Sequence, residues 1–80
     1  MSRVRVLYFA SLRDAAGCAD EWVDSAAADL AGLYEQLRAR HGFALPRERL
    51  RVAVDGAFAR WEAALPDGAE VVFVPPVSGG

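Results

Sequence analysis

The sequence of 80 residues ends in Pro75-Pro76-Val77-Ser78-Gly79-Gly80, and the carboxylate of Gly80 is its foremost candidate for a reacting group. Two terminal glycines carry no side chain, so they can enter a channel too narrow for any other residue. A carboxylate is a poor electrophile because it is anionic and lacks a leaving group. Once ATP converts it to an acyl-adenylate, AMP becomes the leaving group and a sulfur nucleophile can attack. The product is a thiocarboxylate, a soft nucleophile on an arm that raises the local concentration of sulfur in a partner's site. The opposing reading is an inert, frayed terminus, the common condition of chain ends. Gly79-Gly80 alone does not decide between the two; the residues before it and the domain that carries it must.

Other reactive side chains offer less. Cys18, in Gly17-Cys18-Ala19, has no histidine or basic neighbour in sequence to lower its pKa and reads as a bystander. His41 stands alone at the end of an expected helix, where a capping role suits it better than ligation or catalysis. No group of His, Cys, Asp and Glu has metal-ligand spacing. All nine positive side chains are arginines, which excludes lysine Schiff-base chemistry and lysine-linked chains of the protein with itself. The formal charge of −2, with no basic block, gives nucleic-acid binding no support. A single cysteine permits no internal disulfide, and no apolar run reaches membrane-spanning length. The expected setting is cytoplasmic, with neither nucleic acid nor membrane as partner.

The elements that must position the tail follow from periodicity. With 54% apolar residues the chain can build one core, near the lower size limit for a domain without staples. Val4 to Ala10 reads as a strand, and Ser11 to Gly17 as one or two helical turns with Ser11 as candidate N-cap and Gly17 as stop. Glu21 to Val23 reads as a short second strand of ambiguous parity, since acidic residues fall on both faces. Leu30, Leu33, Tyr34 and Leu37 recur at i, i+3, i+4 and i+7, one apolar helical stripe, and Gly42 closes that helix. Leu50 to Val54 is a third strand, Asp55-Gly56 a hairpin turn, Ala57 to Trp61 a fourth strand, and Glu70 to Val74 a fifth. Leu65 to Gly68 is a turn, and Pro75-Pro76 ends the last ladder and favours a stiff, extended exit. The expected architecture is α+β, a ββαβββ mixed sheet with one main helix on one face. Residues 1–74 form the domain and 75–80 a flexible tail reaching at most about 13 Å beyond Pro76.

One helix covers only one side of such a sheet. In the first strand Arg3 and Arg5 label the open side, and that parity carries Leu7 and Phe9. Arg60 labels it in the fourth strand and carries Phe58; Glu70 labels it in the last and carries Val72 and Val74. Val4, Val6, Tyr8, Val71 and Phe73 then face the helix. Large apolar residues on the charge-labelled side suggest a partner surface. Alternatively, Phe9 and Phe58 tuck under loops.

The resemblance that bears on this choice spans the whole length. Val6-Leu7-Tyr8-Phe9-Ala10 followed by Leu12-Arg13, Val52-Ala53-Val54-Asp55-Gly56, Leu65-Pro66-Asp67-Gly68-Ala69-Glu70-Val71 and, most specifically, Phe73-Val74-Pro75-Pro76-Val77-Ser78-Gly79-Gly80 resemble the small subunit of molybdopterin synthase, a MoaD-type sulfur carrier with the ubiquitin-like β-grasp fold. The resemblance implies that a ubiquitin-activating-type (MoeB-like) adenylyltransferase uses ATP to activate Gly80 and that a sulfurtransferase system supplies sulfur. It further implies that Pro75, Pro76, Val77, Ser78 and Gly79 thread into a large (MoaE-like) subunit, where the thiocarboxylate donates sulfur to cyclic pyranopterin monophosphate to build the molybdopterin dithiolene. The chain would bind no cofactor and catalyse nothing alone. Positions matching Phe9, Phe58 and Val74 would make the apolar partner contact, with Arg13 beside them. Asp55 stands where asparagine is frequent in the family, Val74 where some members carry an aromatic, and Ser78 where threonine is common. Two alternatives stay open: a carrier for thiamin thiazole, tRNA thiolation or cysteine synthesis, and a ubiquitin-like binding module without tail chemistry.

Overall fold

The computed structural model describes residues 1–76. The elements are β1 (Ser2–Leu7), α1 (Ala10–Ala16), β2 (Asp20–Ser25), α2 (Leu30–His41), a 3₁₀ turn (Arg47–Arg49), β3 (Arg51–Val54), β4 (Ala57–Ala59) and β5 (Glu70–Val74). They form one five-stranded sheet in the order β2-β1-β5-β3-β4. β1 and β5 are parallel, and every other pairing is antiparallel, so the sheet is mixed as expected. The first and last strands thus lie side by side in its middle.

α2 packs on one side through the stripe read from the sequence. Leu30, Leu33, Tyr34 and Leu37 are all fully buried, against Val4, Val6, Val52, Val71 and Phe73. Each such aliphatic side chain contributes about 1.5–3 kcal/mol relative to exposure. Tyr34 meets Phe73 edge-on at 5.1 Å between ring centres, and Trp61 stacks on Phe73 at 5.9 Å. Asp29 caps α2 by accepting the Gly32 N–H at 2.8 Å, a role its placement off the apolar stripe did not reveal. Gly42 ends the helix in the left-handed region, donating its N–H to the Arg38 carbonyl.

Several boundaries differ from expectation. β1 stops at Leu7, and α1 starts at Ala10 with Phe9, not Ser11, at the N-cap position and no side-chain cap. β4 is only three residues long, because Trp61 leaves the ladder to cover the core. β2 is longer than expected, and its parity resolves: Val23 and Ser25 point inward, Trp22 and Asp24 outward. Among the described residues, no helix is long and apolar enough to cross a membrane.

Candidate functional site

The open side of the sheet is organised by strand register. Asp20, Leu7, Val72, Ala53 and Phe58 are successive cross-strand neighbours on β2, β1, β5, β3 and β4. Four of these five are apolar and form a row running across the sheet. Val74 lies one pleat further along β5, opposite Arg51 on β3, at the point where the chain leaves the sheet for Pro75 and Pro76. The row and the root of the tail are therefore contiguous.

Two exposed aromatics, Phe9 and Phe58, are each presented by a turn, and Phe58 lies beside that root. Phe9 is 50% exposed, and its carbonyl accepts the N–H groups of Leu12 and Arg13, so the first turn of α1 fixes its backbone. Leu12 is buried and anchors α1 to the core, leaving Phe9 and Arg13 outside. Ala10 takes φ 52, a left-handed conformation that costs a non-glycine residue about 1–2 kcal/mol, and this turn reverses the chain directly after Phe9. Phe58 is 68% exposed on β4. It is carried by the hairpin turn Asp55-Gly56, whose φ values of 50 and 87 are both positive, the geometry a two-residue hairpin requires. Asp55 has a further role: its carboxylate accepts the Glu70 N–H at 3.0 Å and ties the turn to β5. Aspartate at this position serves the fold. The alternative in which Phe9 and Phe58 tuck under loops does not hold.

Val74, Pro75 and Pro76 border a groove of about 360 Å³ together with Leu50, Arg51 and Phe58. The Arg51 guanidinium lies over the Phe58 ring, 5.7 Å from its centre. Val74 is half-buried. Of the expected site residues, Phe58, Val74, Pro75 and Pro76 thus border one groove, and Phe9 and Arg13 line a separate one with Arg5, Leu7 and Asp20. Val77, Ser78, Gly79 and Gly80 lie outside the described residues. Sequence reasoning missed Arg51, the open-side neighbour of Val74, whose signal was its alternation with Val52. It also missed Trp22, 53% exposed on β2 beneath the Arg3 guanidinium.

The remaining polar groups are satisfied internally. Tyr8 donates to Glu21, whose carboxylate is also 2.7 Å from His41 Nε2. Burial by itself pushes the Glu21 carboxyl up. Hydrogen bonds from Tyr8 and His41, with the charges of His41 and Arg40, more than offset it and hold the group below its ordinary value. Burial, then the bond to Glu21, pushes the Tyr8 hydroxyl up. His41 therefore fastens the end of α2 to the sheet, and the cap itself is Gly42. Glu21 belongs to this cluster, which is why acidic residues occupy both faces of β2. The Cys18 thiol is pushed up by burial and by Glu21 and Asp20, which favours its protonated form. Among the described residues, no three His, Cys, Asp or Glu side chains gather as a metal site, and no buried side-chain polar atom lacks a partner.

The comparisons with known proteins agree with this arrangement. The ThiS family model matches residues 6–80. A Pyrococcus furiosus structure, assigned as molybdopterin converting factor subunit 1, is 29% identical with a TM-score of 0.79, covering 96% of this chain and 100% of that one. Small archaeal modifier protein 1 of Haloferax volcanii is 26% identical with a TM-score of 0.81, covering 99% and 100%. Subunit 1 of the Helicobacter pylori molybdopterin-converting factor, solved in complex with subunit 2, is 23% identical with a TM-score of 0.67 over 98% and 99%, and supports the fold. No curated protein matches the chain significantly. Small carriers of this type are partner subunits without catalysis of their own. The chain belongs to the ThiS family of small, ubiquitin-like, β-grasp sulfur carriers.

Proposed function

We propose that this chain is the sulfur-donating small subunit of a molybdopterin synthase, working through the carboxylate of Gly80. An adenylyltransferase of the ubiquitin-activating type consumes ATP to form the acyl-adenylate. A sulfur nucleophile attacks the carbonyl carbon, the bond to AMP breaks, and the terminus becomes a thiocarboxylate. The tail then enters a MoaE-like large subunit and gives its sulfur to cyclic pyranopterin monophosphate. The β-grasp domain provides address: its apolar row and the Phe9–Phe58 pair dock, and Pro75-Pro76 aims Val77 to Gly80 into the partner.

The observation that supports this reading most is the continuity of the apolar row with the root of a tail ending in Gly79-Gly80. The Pro75-Pro76-Val77-Ser78 approach and the similarity to the Pyrococcus furiosus protein favour molybdopterin over other carrier pathways. A modifier role is the second reading, favoured by the similarity to small archaeal modifier protein 1. The test is intact mass after incubation with activating enzyme, ATP and a sulfur source, followed by addition of a large subunit and the cyclic precursor. Oxygen replaced by sulfur at the C-terminus, then consumed with dithiolene formation, is the expected result. No mass change with a competent enzyme set sinks the carrier reading, and a thiocarboxylate that the large subunit leaves untouched sinks the molybdopterin assignment.

A further inference from the structure

The arginines of this chain are treated unequally. Arg5, Arg38, Arg40, Arg47 and Arg60 each pair with a carboxylate, and Arg3 lies over Trp22. Among the described residues, Arg13 has no carboxylate partner, and neither do Arg49 and Arg51, although Glu48 borders the same groove as those two. Both border the groove at the tail root. Arg51 is held with its guanidinium over the Phe58 ring, and in that pose the N–H donors in the guanidinium plane remain available to a group approaching from the side. A carboxylate matches that fork in geometry and charge. The groove beneath is apolar, floored by Leu50, Val74 and Pro75, so it suits a protein partner that brings apolar side chains with carboxylates around them.

We propose that Arg51, supported by Arg49, docks on an acidic rim of the activating adenylyltransferase, around the mouth of the channel through which that enzyme takes the tail. The proposal rests on the carrier reading above and adds the chemistry of the partner's surface to it. Six residues follow Val74 as far as Gly80, enough for about 20 Å if fully extended. Arg51 therefore touches the mouth of the channel and never the reacting carbonyl. Its contribution is to steer encounter and set register, which appears in the association rate and its dependence on salt.

The experiment is stopped-flow association of the full-length chain with a ubiquitin-activating-type adenylyltransferase, repeated from about 50 mM to about 500 mM salt. Arg51→Ala is compared with Ala39→Glu, which changes the net charge equally on the exposed side of α2. Arg51→Ala is expected to slow association about five- to tenfold at low salt and to flatten the salt dependence, with Arg49→Ala smaller in the same sense. Ala39→Glu changes the rate less than twofold. Arg51→Lys, which keeps the charge and loses the planar fork, recovers most of the rate. Equal effects of Arg51→Ala and Ala39→Glu overturn the proposal, because net charge alone then explains them. A salt-independent change confined to dissociation also overturns it, since packing on Phe58 would then be the whole contribution. The sulfur-for-oxygen mass change of the wild-type chain, read in the same reactions, separates the two layers. Its absence condemns the carrier reading, and its presence with an unaffected Arg51→Ala condemns the acidic rim alone.

Discussion

Tyr8 and Phe9 are adjacent in sequence and sit in opposite worlds. Tyr8 is 1% exposed, its hydroxyl bound to Glu21 and its ring against Phe43, with every polar group around it satisfied. Phe9 is 50% exposed, with a strained Ala10 behind it, and it shares its face with Phe58 and with Arg51, which makes no ion pair among the described residues. The helix-covered side has the character of a finished interior. The open side keeps apolar area, strain and charge uncompensated where the tail departs. A domain of this size needs all its burial for stability, so large aromatics left outside point to a second body that covers them.

The contrast can be broken or sharpened in five ways, taken from the largest effect downward. Deleting Gly80 should abolish sulfur acceptance entirely, read by intact mass, while leaving the thermal midpoint and partner binding unchanged. Leu33→Ala, on the covered side, should cost about 2–5 kcal/mol of stability in denaturant titration. Phe58→Ala should stay within about 1 kcal/mol there and instead weaken partner binding by roughly ten- to a hundredfold in calorimetry. A reversal of that pattern would erase the distinction between the faces. Glu21→Gln tests the satisfied cluster through pH. The Glu21 carboxyl is held below its ordinary value, so its contribution is complete above about pH 4.3 and fades as pH falls through the lower, folded-state value. The variant should lose about 1–3 kcal/mol at neutral pH and show a flatter acid limb in unfolding measured against pH. Cys18→Ser should be nearly silent, within about 0.5 kcal/mol in stability and unchanged in sulfur transfer.

Much of the fold was legible because two periods are clean. Leu30, Leu33, Tyr34 and Leu37 admit only a helix, and Asp55-Gly56 admits only a tight hairpin; both are where expected. The parity argument likewise placed Phe9, Phe58 and Val74 outward from the charges that share their strands' parity, Arg3 and Arg5, Arg60, and Glu70. What escaped depended on contacts distant in sequence. Glu21 obscured β2 because its partners are Tyr8 and His41, the latter 20 positions away. Trp61 left β4 for a ring contact with Phe73, which no local pattern announces. Arg51 became notable only once register put it beside Val74 and over Phe58.

The placement of β5 has a consequence for synthesis. Among the described residues it is the last strand in sequence and the central one, joining the antiparallel β1-β2 pair to the β3-β4 hairpin. Until residues 70–74 emerge from the ribosome, the two strand pairs have no shared ladder, and each is marginal by itself. A chain cut short before residue 70 therefore lacks both the strand that unites the sheet and the Val72 and Val74 that continue the apolar row to the root of the tail. The apolar row is thus completed only when residues 70–74 join the sheet, immediately before Pro75 and Pro76 in sequence.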